Sequence, residues 1–282
     1  MSTVETPMTS TLARAQGSAT AVRWPGSSLR SQIMILTERS LGALIRDPQI
    51  ILFGLLQPIV MLLLFTQVFA NLGATPNFPP GISYVDYLVP AVLVDNAVQS
   101  SLQSGVGLVE DLKNGVVSRL RSLPIQPASL LVARSLSDLA RGAVQAIVIL
   151  LLATTMLDYS PGGGFGGVAA SLFLALLVGW ALGWVFLAFG TWLRRAEPMQ
   201  NISFIALFPL MFASSAYVPV ADLPSWLQVV AQVNPLTYAV DATRAVALGF
   251  ANTSAVVPAI VICSVIMAFG VVFAILGFRR PL

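Results

Sequence analysis

The sequence predicts an all-α integral membrane protein with six transmembrane helices. Three observations carry that prediction. Hydrophobic residues make up 56% of the 282 and charged residues only 10%. Apolar runs of about 20 residues, the length that crosses a hydrocarbon core, recur along the chain. All the cations but Arg141, which sits at the start of one run, lie outside those runs.

The six runs are residues 50–70, 88–109, 139–157, 168–192, 200–218 and 254–277. Residues 1–28, rich in Ser, Thr, Ala and Gly, lack the apolar core of a cleavable signal and read as a flexible cytoplasmic tail, leaving 29–282 as the membrane domain. With the N-terminus in the cytoplasm, fourteen of the fifteen Lys and Arg fall inside and only Arg244 outside. The positive-inside rule therefore selects a multi-pass topology with both termini cytoplasmic. The external connections 71–87 and 158–167 carry Asp86 and Asp158 but no cation, and the Pro and Gly of "TPNFPPG" and "SPGGGFGG" mark them as short surface loops.

Composition also excludes chemistry. There is no histidine, the commonest metal ligand and general base, and the single Cys263 rules out an internal disulfide or a cysteine metal cluster. The expected catalytic set and metal set are both empty, and nothing points to nucleic acid.

Two amphipathic stretches stand apart from the spans. Residues 29–46, wound at 100° per residue, place Leu29, Ile33, Met34, Leu36, Leu41, Leu44 and Ile45 on one half of the wheel and Gln32, Glu38, Arg39 and Arg46 on the other. Such a helix lies flat among headgroups, with Arg39 and Arg46 near phosphates. Asp47-Pro48 then ends it. The stretch "DLKNGVVSRLRSLP", 111–124, sets Leu112, Val116, Leu120 and Leu123 in a stripe bordered by Lys113 and Arg119, with Arg121 opposite, and Pro124 and Pro127 stop it. A cytoplasmic helix of this kind docks into a groove of a soluble partner, its leucines giving affinity and its cations register.

In the loop between runs five and six, Asp222 with Pro224 and Asn234 with Pro235 mark two helix starts. Trp226, Val229, Val230 and Val233 give the first helix a membrane-facing stripe, and Asp241 can pair with Arg244 on the second.

Within the runs, Asp95, Gln99 and Gln103 recur at i, i+4 and i+8. A central Asp facing lipid costs about 2.5 to 3.5 kcal/mol on insertion scales, so this face lines either a water-filled path or a protein interface. Phe204, Phe208 and Phe212 repeat the same spacing as an aromatic wall, suited to an amphipathic substrate or to plain packing, and Pro209 bends their helix. Lys113, the one lysine, lies in "LVEDLKN", which has none of the Gly-rich pattern that cradles nucleotide phosphates. The economical inference is a separate energy-supplying subunit docked at 111–123.

Two segments also resemble a known family. "LPSWLQ" and "NPLTYAVDATR", within 218–249, are similar to the fifth-to-sixth-span loop of type-2 ATP-binding-cassette exporter permeases, the group holding daunorubicin-type drug-resistance permeases and polysaccharide and nodulation-factor exporters. "EDLKNGVVSRLRSLPIQPASLLVAR", 110–134, is similar to that group's first cytoplasmic loop. The resemblance runs from about residue 30 and implies a bacterial cell-membrane permease paired with a second permease, identical or paralogous. It further implies two ATPase subunits that hold ATP and Mg, no cofactor on this chain, an N-terminal interface helix, a coupling helix between spans two and three, and a pathway along spans two and five. The competing expectation is an ion-coupled carrier or membrane scaffold without an ATPase partner.

Overall fold

A computed structural model describes residues 28–46, 48–69, 78–114, 127–250 and 254–280, and among these it contains helices and turns but no strand. The helices are α1 (Leu29–Arg46), α2 (Pro48–Val68), α3 (Tyr84–Lys113), α4 (Pro127–Met156), α5 (Gly164–Leu193), α6 (Ala196–Phe212), α7 (Ser225–Val233), α8 (Pro235–Leu248) and α9 (Val256–Phe278). Three stretches, Ala128–Met156, Gly164–Leu193 and Val256–Phe278, are long and apolar enough to cross a membrane, and α2 adds the shorter apolar stretch Gly54–Val68. The expected tail lies almost wholly outside the described residues.

The bundle is organised around α5, which packs against α3, α9 and α8. Small residues make the α3–α5 approach possible. A Cβ on Gly105 would stand 2.5 Å from the Phe186 carbonyl oxygen, and one on Gly179 would stand 3.0 Å from that of Ala97. Backbones come this close where glycine removes the side chain between them, which raises dispersion contact in a medium that offers no hydrophobic drive between helices.

α3 is as long as α4 and α5, yet polar residues such as Asp95, Asn96 and Gln99 lower its hydropathy. It is covered on nearly every side by other helices, so its polar atoms meet protein rather than lipid.

Several boundaries differ from expectation, each for a physical reason. α4 starts at Pro127, twelve residues before the expected run at 139, because Arg134, Asp138 and Arg141 are carried inside the helix by ion pairs. α6 stops at Phe212 after 17 residues, short of the expected 218. The backbone from Ala213 to Tyr217 is non-helical but buried, which membrane depth tolerates where protein supplies the hydrogen bonds.

On α1 the expected polar face is wrong at Gln32, which is buried, because the helix packs along α4; Met34 and Ile35 face outward. The "SPGGGFGG" segment lies at the surface as expected, but it is tethered and its second half is the first turn of α5. Gly163 N–H donates to the Ala247 carbonyl at 3.0 Å, and a Cβ on Gly163 would meet the Val246 oxygen at 2.5 Å. Its Ser160 N–H also donates to Asp86, tying together two segments expected as separate loops.

Candidate functional site

The face predicted at Asp95 is brought to a cavity. α2, α3 and α6, with the turn after α6, enclose about 110 Å³ lined by Gln57, Met61, Asp95, Gln99, Leu102, Phe204, Leu207, Phe208, Met211, Phe212 and Tyr217. Asp95 is 4% exposed, and Gln99, one helical turn further on, lines the same cavity. Among the described residues no cation pairs with Asp95.

Gln103 does not join the lining and is exposed. Each i+4 step overshoots a helical turn by about 40°, so by i+8 the side chain has swung about 80° from Asp95. The same drift acts along α6, where ring-to-ring contact keeps the wall continuous. Phe204 and Phe208 have centroids 5.4 Å apart, Phe208 and Phe212 4.6 Å, and Phe212 and Tyr217 5.1 Å. The three phenylalanines are partly open to the outside of the chain, Phe204 at 62%. An acid and an amide therefore face a wall of aromatic rings, a surface that accepts both the polar and the flat apolar parts of a molecule. Gln57 and Met61 escaped sequence reasoning because they sit in an apolar run whose only signal was its length.

Above this cavity the turn that ends α6 is fastened by side chains from α3 and α8. Arg244, 5% exposed, donates from Nε to the Tyr87 carbonyl at 3.1 Å and from Nη2 to the carbonyls of Ser215 at 2.8 Å and Ala216 at 3.3 Å. Its Nη1 meets Asp241 at 3.2 Å, and its guanidinium lies 3.5 Å from the Tyr87 ring centre. The Tyr84 and Tyr87 hydroxyls donate to the carbonyls of Tyr217 and Ser215. Asn234 accepts from Leu236 N–H as the cap of α8 and donates to the carbonyls of Leu210 and Ala213. The Asp241–Arg244 pair forms as expected, but on a buried arginine rather than a surface one.

The other expected cap fails. Asp222 closes a short 3₁₀ turn, Val220–Asp222, and Pro224 precedes α7 with no side-chain cap. Trp226, Val229, Val230 and Val233 share the exposed face of α7.

At the opposite end a ladder of charges joins α3 to α4. Arg134 pairs with Asp111 and, at 3.6 Å, with Asp138; Asp138 pairs with Arg141 at 3.1 Å. Arg134 Nε also donates to the Ser104 carbonyl at 3.2 Å. These residues bracket the stretch expected to dock a partner. Leu112, half-buried, and Lys113, exposed, belong to the last turn of α3 rather than to a separate helix. Val116, Arg119, Leu120, Arg121 and Leu123 lie outside the described residues. On α1, Glu38 is exposed, and the side chains of Arg39 and Arg46 are outside the description.

Among the described residues, a helical bundle with three membrane-length apolar helices is that of a multi-pass membrane protein, and its cavity is polar on one wall and aromatic on the other. The chain belongs to the ABC-2 type transporter family, whose model matches residues 31–248. It is similar to a daunorubicin resistance ABC transporter permease protein of Streptomyces coeruleorubidus, at 29% identity over 70% of this chain and 68% of that one. A probable doxorubicin resistance ABC transporter permease protein of Mycobacterium tuberculosis is 23% identical over 92% of this chain and 94% of its own. A putative transport permease of Pyropia yezoensis is 26% identical over 77% and 74%.

Proposed function

We propose that this chain is the permease subunit of an ATP-driven exporter in a bacterial cell membrane, moving an amphipathic drug, lipid or glycan outward. In this reading α2, α3, α4, α5, α6 and α9 are the six spans, and both termini are cytoplasmic. Family membership and the drug-resistance names of two relatives support the export direction. The observation that carries the reading is the cavity where Asp95 and Gln99 face Phe204 and Phe208.

The polar pair gives hydrogen bonds to a substrate's hydroxyl, amine or glycosidic groups, and the rings give apolar contact that tolerates many shapes. The wall's open side is where a second permease, identical or paralogous, completes the pathway. Energy comes from two ATPase subunits that hold ATP and Mg, because "LVEDLKN" around the chain's one lysine has no phosphate-cradling loop. Force enters through the segment 112–123, with Leu112, Val116, Leu120 and Leu123 as anchors and Lys113, Arg119 and Arg121 as register. α1, through Glu38, Arg39 and Arg46, holds the bundle at the headgroup level.

The test is whether a soluble ATPase co-purifies with the chain from its native membrane, followed by reconstitution and measurement of substrate-stimulated hydrolysis. A soluble ATPase bound to the permease and stimulated by an amphipathic substrate is expected. Transport that persists without any ATPase and follows an ion gradient instead would overturn the reading.

A further inference from the structure

An apolar recess that shares no residue with the pathway cavity lies between the last turns of α5 and α9. It measures about 370 Å³ and is lined by Val185, Ala188, Phe189, Trp192, Phe269 and Phe273, with almost no polar surface. Four of those six side chains are aromatic and all four are exposed on the chain. Trp192 Nε1 donates to the Phe273 carbonyl at 3.1 Å, which fixes the indole as one wall.

At the end of the recess the chain carries two arginine pairs, Arg194-Arg195 directly after α5 and Arg279-Arg280 directly after α9. Arg280 lies with its guanidinium carbon 3.7 Å from the Trp192 ring centre, and Arg194 donates to the Arg280 carbonyl at 3.2 Å. Arg195, Arg279 and Arg280 are exposed, and among the described residues none of these three forms an ion pair. The acid nearest in sequence is the exposed Glu197 in the first turn of α6.

We propose that this recess binds one anionic phospholipid of the cytoplasmic leaflet, an acyl chain lying along the aromatic wall and the phosphate held by Arg279, Arg280 and Arg195. The dimensions agree. From Phe269 to Arg280 the helix rises about 16 Å, half of a hydrocarbon core of about 30 Å, so the recess has the depth of a single leaflet. The charges choose the headgroup. Cations gathered at the cytoplasmic end of membrane helices attract anionic lipid, and a guanidinium laid flat on an indole presents its N–H edge to phosphate oxygens.

The same charges disfavour a second copy of the chain on this face. A two-fold contact would press the arginine cluster against its own duplicate. Which leaflet is involved rests on the proposed orientation; the binding itself does not.

Native mass spectrometry of the full chain tests this, with phosphatidylglycerol and phosphatidylcholine of equal chain length as separate probes and glycerol phosphate as the headgroup alone. Wild type should retain one phosphatidylglycerol under conditions that strip phosphatidylcholine, and glycerol phosphate should not compete. Arg279→Gln with Arg280→Gln should weaken phosphatidylglycerol about thirtyfold, about 2 kcal/mol at tenfold per 1.4 kcal/mol, and leave phosphatidylcholine unchanged. Arg279→Gln alone, at an exposed position, should show part of that loss if the double variant does not fold. Val185→Phe, which narrows the recess, should weaken both lipids alike. Equal retention of the two lipids, or undiminished phosphatidylglycerol binding in the arginine variants, would overturn the proposal. So would a disulfide between two copies of Phe273→Cys in a Cys263→Ala background, because it puts a second permease where the lipid should lie.

Discussion

Replacing Arg244 by Met separates two accounts of what fastens the turn after α6. Met keeps an apolar stem of similar reach and removes every donor. Three backbone carbonyls then lose their arginine: Tyr87, Ser215 and Ala216. Ser215 still receives the Tyr87 hydroxyl at 3.0 Å, and the Tyr87 carbonyl lies within α3, so Ala216 suffers the full loss. An unsatisfied buried group costs about 1 to 3 kcal/mol. The lost stacking on Tyr87 adds about 0.5 to 2 kcal/mol. The expected destabilisation is therefore about 3 kcal/mol. If the Asp241–Arg244 ion pair were instead the main contribution, Asp241→Asn should cost nearly as much. Asp241 is 41% exposed at its side chain, however, and a screened pair of that kind contributes about 0 to 1 kcal/mol. The assay is equilibrium unfolding of the purified chain in mixed micelles, with both variants beside wild type. Arg244→Met within about 1 kcal/mol of wild type, or Asp241→Asn equally harmful, would refute the carbonyl-clasp reasoning.

Further outcomes follow from other parts of the chain. Asp95→Ala with Gln99→Ala should lower transport or change substrate preference while subunit assembly, read by co-purification, stays normal; lost assembly would mean that these residues hold helices together. Leu120→Ala and Leu123→Ala should each weaken ATPase association by about 1 to 3 kcal/mol, roughly ten- to a hundredfold in co-purified subunit, with topology unchanged. Gly105→Val should disrupt the α3–α5 contact, since even a Cβ there would stand 2.5 Å from the Phe186 oxygen; normal folding yield for this variant would contradict the close approach. Cysteines at Ala74 and Ser225 in a Cys263→Ala background should be labelled from outside by an impermeant reagent while one at Ser122 is not, and the reverse pattern would invert the orientation.

The helices were legible wherever the signal was local. Apolar length found α5 and α9 within a few residues, and Asn234-Pro235 located the start of α8 because cap and proline act within one turn. What escaped depends on partners distant in sequence. Pro209 announces a bend but not that α6 ends at Phe212, because the carbonyls of its last turn and of the turn after it are taken up by Asn234, Tyr84, Tyr87 and Arg244. The early start of α4 was hidden for the same reason: Arg134 reads as a loop cation until Asp111 is seen across from it. At the cavity, i+4 spacing correctly joined Asp95 to Gln99 and Phe204 to Phe208 but carried Gln103 too far round.

The arginines also change what the charge count means. As sequence, Arg244 was the single cation outside against fourteen inside, a blemish on an otherwise one-sided distribution. As structure, it is buried among carbonyls and an aspartate at the junction of α3, α8 and the turn after α6. The positive-inside bias acts on cations in loops flanking the spans. A guanidinium whose donors are spent on buried oxygens is a structural fastener and carries no such vote. Arg134 and Arg141 lose theirs by the same standard, being paired with Asp111 of α3 and Asp138 of α4. Twelve cations then remain on the proposed cytoplasmic side and none opposite, so discarding the three embedded arginines makes the asymmetry complete rather than weaker.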